Sequence, residues 1–97
     1  MDNKEIQADI KNNKIREGYL FKRSKYLREW RRRYIVLTSK YIYSFEDESL
    51  NDLHDKVKLK DVKSYKSFLA KEDKFVPATF KLNTSKESFL FAGKNCN

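Results

Sequence analysis

Apolar and polar residues alternate with a period of two through most of this chain, in short blocks broken by turn-like residues. The first block is Arg16-Glu17-Gly18-Tyr19-Leu20-Phe21-Lys22, short and rich in aromatic side chains. Trp30 opens the second, which runs to Thr38, and Tyr41-Ile42-Tyr43-Ser44-Phe45 is the third. Only Ser39-Lys40 separates those two, the spacing of a tight hairpin, although neither residue is the Gly or Asn that would name the turn type. Residues 46–55 read as a solvated acidic loop. Val57-Lys58-Leu59 and Val62-Lys63-Ser64-Tyr65 follow as short strand candidates, and Phe68 to Phe75 as a charged connection. Pro77 to Asn83 alternates again, and Glu87 to Gly93 closes the pattern after an Asn-Thr-Ser-Lys turn. About seven short strands without a long helix predict an all-β sandwich or barrel. Residues 1–14 are polar, with Ile6, Ala8 and Ile10 too sparse for a core face; they read as a flexible lead-in or a short helix. Residues 15–97 then form the domain.

A chain of 97 residues has room for one small domain, which excludes a multi-domain enzyme. No apolar run approaches the roughly 18 residues of a membrane span. Cys96 is the single cysteine, so no internal disulfide forms, and a reducing intracellular compartment is expected. The start, Met1-Asp2-Asn3, lacks the glycine of a myristoylation signal and the apolar stretch of a signal peptide. Any membrane association is therefore expected from the folded surface.

The net charge of +8 implies attraction to a polyanion. It is unevenly spread. Eight basic residues lie between Ile15 and Tyr34 (Arg16, Lys22, Arg23, Lys25, Arg28, Arg31, Arg32, Arg33), against Glu17 and Glu29. Between Glu46 and Asp55 there are five acids and no Lys or Arg. Side chains alternate across a strand, so parity places the charges. If Leu20, Ile35 and Leu37 face inward, Lys22, Arg31 and Arg33 share that face near the connection between the first two strands, and Arg32 points the other way. Unpaired burial of three cations costs several kcal/mol each, so they must be solvated or matched to an anion. Arg23, Lys25 and Arg28 in the connecting loop add to the cluster, and forked guanidinium donors suit phosphate oxygens.

Gly18-Tyr19-Leu20-Phe21-Lys22, then Trp30 to Thr38, then Tyr41 to Phe45, resemble in order the first three strands of a pleckstrin homology (PH) domain. The resemblance runs from about Arg16 to Gly93. It implies a seven-stranded, partly open barrel of two near-orthogonal antiparallel sheets, closed at one end by a C-terminal helix. That helix would begin just after Gly93, and the chain stops at Asn97. An apolar barrel end lined by Phe80, Leu82 and Leu90 is then expected to need cover from further chain or from a partner. The resemblance also implies phosphoinositide ligands at Lys22, Arg31 and Arg33, with Arg28 on a basic loop position and Arg23, Lys25 and Tyr26 as auxiliary membrane contacts. Tyr26 stands where the loop is often basic, Glu29 places a carboxylate nearby, and Ser44 occupies a position where a third-strand Tyr often contacts phosphate.

The expected function is a phosphoinositide- or anionic-membrane-binding adaptor that targets its parent protein to the cytoplasmic face of a membrane. The alternative is a docking or assembly module without a specific lipid ligand, with a protein partner covering the open barrel end. Nucleic acid is a weaker match, because Arg32 faces opposite Arg31 and Arg33 and no continuous basic track forms. No P-loop, GxGxxG or nucleophile elbow is present, so no enzymatic activity or cofactor is expected. His54 has no Cys or His at ligand spacing, so no metal is expected either.

Overall fold

Period-two alternation becomes seven antiparallel strands in the computed structural model, which describes residues 3–24, 29–69 and 78–93. They are β1 Lys14–Ser24, β2 Arg31–Thr38, β3 Tyr41–Phe45, β4 Leu53–Lys58, β5 Val62–Leu69, β6 Ala78–Thr84 and β7 Ser88–Ala92. One helix, α1 (Asn3–Asn13), precedes them. All seven strands form a single sheet in the order β4-β3-β2-β1-β7-β6-β5. The fold is all-β, and its sheet is not closed: β4 and β5 stand at opposite ends of the order, joined in sequence by the 3₁₀ turn Leu59–Asp61.

The ladders confirm the parity of the first strands. Leu20 lies opposite Arg33 and Lys22 opposite Arg31. On the far side of β2, Ile35 faces Ser44 and Leu37 faces Ile42. The sheet curls so that this face encloses the main core of Ile35, Ile42, Val57, Leu82, Phe89 and Phe91, with Leu20 and Leu37 packed against it. Fully burying each such side chain contributes about 1.5–3 kcal/mol. Phe91 is 1% exposed.

Two expectations need correction. The stretch 46–55 is not all loop, because β4 begins at Leu53 and pairs Asp55 with Ser44 and Val57 with Ile42. Leu82 and Leu90 do not line the apolar opening as expected, and the Phe80 side chain lies outside the described residues. Leu82 is buried in the core, and Leu90 is half-buried on the outer face, opposite Arg23 and Lys81. A cleft of about 400 Å³ opens instead among Gly18, Leu20, Ile35, Leu37, Ile42 and Phe91. The position expected to start a closing helix, after Gly93, lies outside the described residues.

Helix α1 overturns the reading of Ile6 and Ile10 as too sparse to pack. Both are buried against Val36, Tyr43 and Phe45 on the outer face of β2 and β3, forming a second core. Asp9 lies between them at helical spacing and is itself buried. Its carboxylate accepts hydrogen bonds from Thr38 Oγ1 (2.7 Å), Tyr43 OH (2.6 Å) and Asn13 Nδ2 (2.7 Å). The same Thr38 oxygen accepts the N–H groups of Lys40 (3.1 Å) and Tyr41 (2.9 Å). A side-chain oxygen thus holds the β2–β3 turn that has no Gly or Asn.

Candidate functional site

β1 and β2 bring Lys22, Arg31 and Arg33 to one face at the end of the sheet where the two strands are joined. The expected grouping of cations is therefore present. None of the three is bare, however. Lys22 Nζ lies 2.5 Å from Asp55 Oδ2 and 5.0 Å from the centroid of the Phe89 ring, and its side chain is only 10% exposed. Arg33 is 17% exposed, with Nη1 3.5 Å from Glu46 Oε2 and donating to the Arg32 carbonyl at 3.1 Å. Arg31 is the most open, 51% exposed and paired at 2.9 Å with Glu29. The cost of burying cations is thus offset by carboxylates of the chain itself.

Those carboxylates come mainly from the acidic stretch, which the sequence pattern read as a solvated loop. Asp55 reaches inward because it shares the face of Val57 on β4, and its Oδ1 accepts the Lys56 N–H at 2.8 Å. Glu46 is held beside Arg33 by a compact turn. The Glu46 N–H donates to the Asp52 carbonyl (2.9 Å), the Leu50 N–H to the Asp47 carbonyl (3.2 Å), and Leu50 adopts a φ of 61°. Within that turn the Asp47 carboxyl is drawn below its ordinary range by hydrogen bonds from the Ser49 hydroxyl and N–H. His54 Nε2 also contacts the Glu46 carboxylate, which is thereby shared between His54 and Arg33. Reading the acidic run as solvated missed both counter-ions. The signal was there for one of them, because Asp55 stands two residues before Val57 and so shares its face on a strand.

Arg32 points outward, as parity predicts, with its guanidinium 3.8 Å from the Tyr19 ring centroid. Arg23 lies over Trp30 on the same outer face, at 5.8 Å. Among the described residues neither has a carboxylate partner. Ser44 is 2% exposed, inside the sheet between Ile35 and Asp55. Lys25, Tyr26 and Arg28 lie outside the described residues. Among the described residues no group of three His, Cys, Asp or Glu side chains could hold a metal, and no helix is long and apolar enough to cross a membrane.

The family model of the PH domain matches residues 14–97. This chain belongs to the PH domain family. Its strand order and the curled, unclosed sheet agree with solved PH domains. The Slm1-PH domain, described as binding ligand in a noncanonical site, is 19% identical with a TM-score of 0.66, over 84% of each chain. A second Slm1-PH structure, in complex with phosphoserine, is 21% identical with a TM-score of 0.63, over 82% of this chain and 79% of that one. The PH domain of human pleckstrin homology domain-containing protein family A member 5 is 22% identical with a TM-score of 0.59, over 87% of this chain and 67% of that one. No curated protein matches the chain. PH domains are typically non-catalytic modules that bind lipid headgroups or proteins.

Proposed function

We propose that this PH domain is a phosphoinositide- and anionic-membrane-binding module that brings its parent protein to the cytoplasmic face of a membrane. The observation that carries the reading is the β1–β2 register, which sets Lys22 directly across from Arg31 with Arg33 two residues further on the same face. Arg28 completes the ligand set from the adjoining loop, and Arg23, Lys25 and Tyr26 assist at the headgroup surface. Diffuse positive charge steers this end toward an anionic leaflet, at about 1 kcal/mol per basic residue near the surface. The domain works by binding and has no catalytic role. The phosphoserine complex of the Slm1-PH domain supports a phosphate-bearing ligand on this fold.

A second reading rests on Arg23 and Arg32, the outward cations without carboxylate partners among the described residues. A phosphate on the outer face of β1 and β2 would meet them without displacing any carboxylate. Co-sedimentation with vesicles carrying a panel of phosphoinositides, across a salt series, separates the two. Arg33→Ala is expected to lose at least about tenfold in affinity for the preferred headgroup, the worth of one charge-assisted contact. Arg32→Ala should chiefly weaken the salt-sensitive attraction to all anionic lipids. A larger loss of selectivity in Arg32→Ala would move the site to the outer face. Weak binding to every anionic lipid, lost as salt rises and equal in both variants, would leave a protein-docking module.

A further inference from the structure

The two most enclosed cations of the inner face already hold an anion each. Asp55 does not meet Lys22 by chance of side-chain rotation. It is fixed on β4 opposite Ser44, its Oδ1 is bound by the Lys56 N–H, and its Oδ2 is left to Lys22. Phe89 lies beneath the ammonium, so the pair sits against an apolar floor. Glu46 holds Arg33 in a similar way, from a turn whose backbone hydrogen bonds set its position. Any phosphate that uses Lys22 or Arg33 must therefore compete with a carboxylate that is positioned in advance.

That competition discriminates by charge. A phosphodiester such as phosphatidylserine offers its cation one negative charge, no more than the carboxylate it would replace. A phosphomonoester offers about −1.5 to −2 at neutral pH and three acceptor oxygens. The released carboxylate regains its hydration in either exchange, so the extra charge and third acceptor oxygen of the monoester decide: exchange is unfavourable for the first and favourable for the second. We propose that Asp55, supported by Glu46, is a specificity-determining residue: a built-in anion that closes the cation cluster to monoanionic lipids and yields only to monoester-phosphorylated headgroups. The inference rests on the headgroup reading above and adds the selection rule.

The test compares wild-type protein with Asp55→Asn, Glu46→Gln and Asp52→Asn on phosphatidylcholine vesicles. One set of vesicles carries phosphatidylserine and the other a phosphatidylinositol bisphosphate. Asp52→Asn makes the same charge change in the same acidic stretch, and among the described residues Asp52 pairs with no cation. Asp55→Asn is expected to bind phosphatidylserine vesicles about three- to tenfold more tightly, a difference of up to 1.4 kcal/mol. It should gain less on the bisphosphate, so that the ratio between the lipids narrows. Asp52→Asn should leave that ratio unchanged. Glu46→Gln, half-exposed and a small risk to folding, should narrow it in the same direction. In wild-type protein the Lys56 amide reports the state of Asp55, and its NMR resonance should move when soluble inositol polyphosphate displaces the carboxylate.

An Asp55→Asn ratio equal to that of Asp52→Asn, or a stationary Lys56 amide at saturating inositol polyphosphate, would overturn the inference while leaving headgroup binding intact. Wild-type protein that binds no bisphosphate vesicle would overturn the headgroup reading and the selection rule together.

Discussion

Replacing Asp9 with alanine removes the acceptor of two buried hydroxyls, that of Tyr43 and that of Thr38, which is left only the Tyr41 carbonyl at 3.4 Å. An unsatisfied buried polar group costs about 1–3 kcal/mol, so Asp9→Ala should lose about 3 kcal/mol or more in urea denaturation at neutral pH. Asp9→Asn keeps an acceptor and should lose less. The carboxyl also sets an acid limit. Burial pushes its pKa up, but hydrogen bonds from Tyr43, Asn13 and Thr38 and the charge of Lys40 outweigh burial and bring it below the ordinary 3.8. A folded pKa below the unfolded one means that this contribution is complete above about pH 4 and disappears as pH falls through the lowered value. Asp9→Asn carries no such dependence, so the stability gap between it and the wild type should shrink between pH 7 and pH 3. On the alkaline side, burial and the bond to Asp9 raise the Tyr43 phenol. Its contribution is complete below the ordinary tyrosine value and is lost as pH rises through the raised one.

Helix α1 and strand β4 are the elements that composition hid, for opposite reasons. In α1, two isoleucines among polar residues look too few for a core, yet Ile6 and Ile10 are one helical turn apart and meet an aromatic surface of Tyr43 and Phe45. The polar residue between them, Asp9, belongs to the buried face. Ile10→Ala should cost about 2–4 kcal/mol, the range for a large aliphatic core residue, and a urea titration measures it directly. In β4 the inward position next to Val57 is an aspartate, so the alternation that marks a strand was masked by charge. Its partner, Lys22, lies 33 positions away, a distance at which no local pattern gives warning. The aromatic and β-branched strands β2 and β3 were legible because propensity, alternation and turn spacing agreed. Parity within those strands also set Lys22, Arg31 and Arg33 on one face. What it could not give was the charge arriving from across the sheet.

At the scale of the whole molecule, the net charge of +8 conceals a local balance. The basic end is threaded with acids from the 46–55 stretch, and among the described residues its open cations lie at Arg31 and on the outer face. Salt should therefore weaken general membrane attraction before it weakens a bound headgroup, because enclosed pairs are screened less than exposed ones.

The strand order carries a further consequence, for folding speed. Strands β1 to β4 pair only with sequence neighbours, as do β5 to β7, apart from one ladder in which β1 meets β7. Two local meanders can zip independently, yet the main core draws on both, with Ile35, Ile42 and Val57 from the first and Leu82, Phe89 and Phe91 from the second. Hairpins close in microseconds, whereas a contact between distant chain segments must first overcome loop-closure entropy. Joining β1 to β7 is then expected to limit the rate of folding. Phe91→Ala, at that joint, should slow refolding in stopped-flow measurements, while Ile10→Ala should chiefly speed unfolding. On that expectation, the seam that completes the core also sets the pace of the chain's assembly.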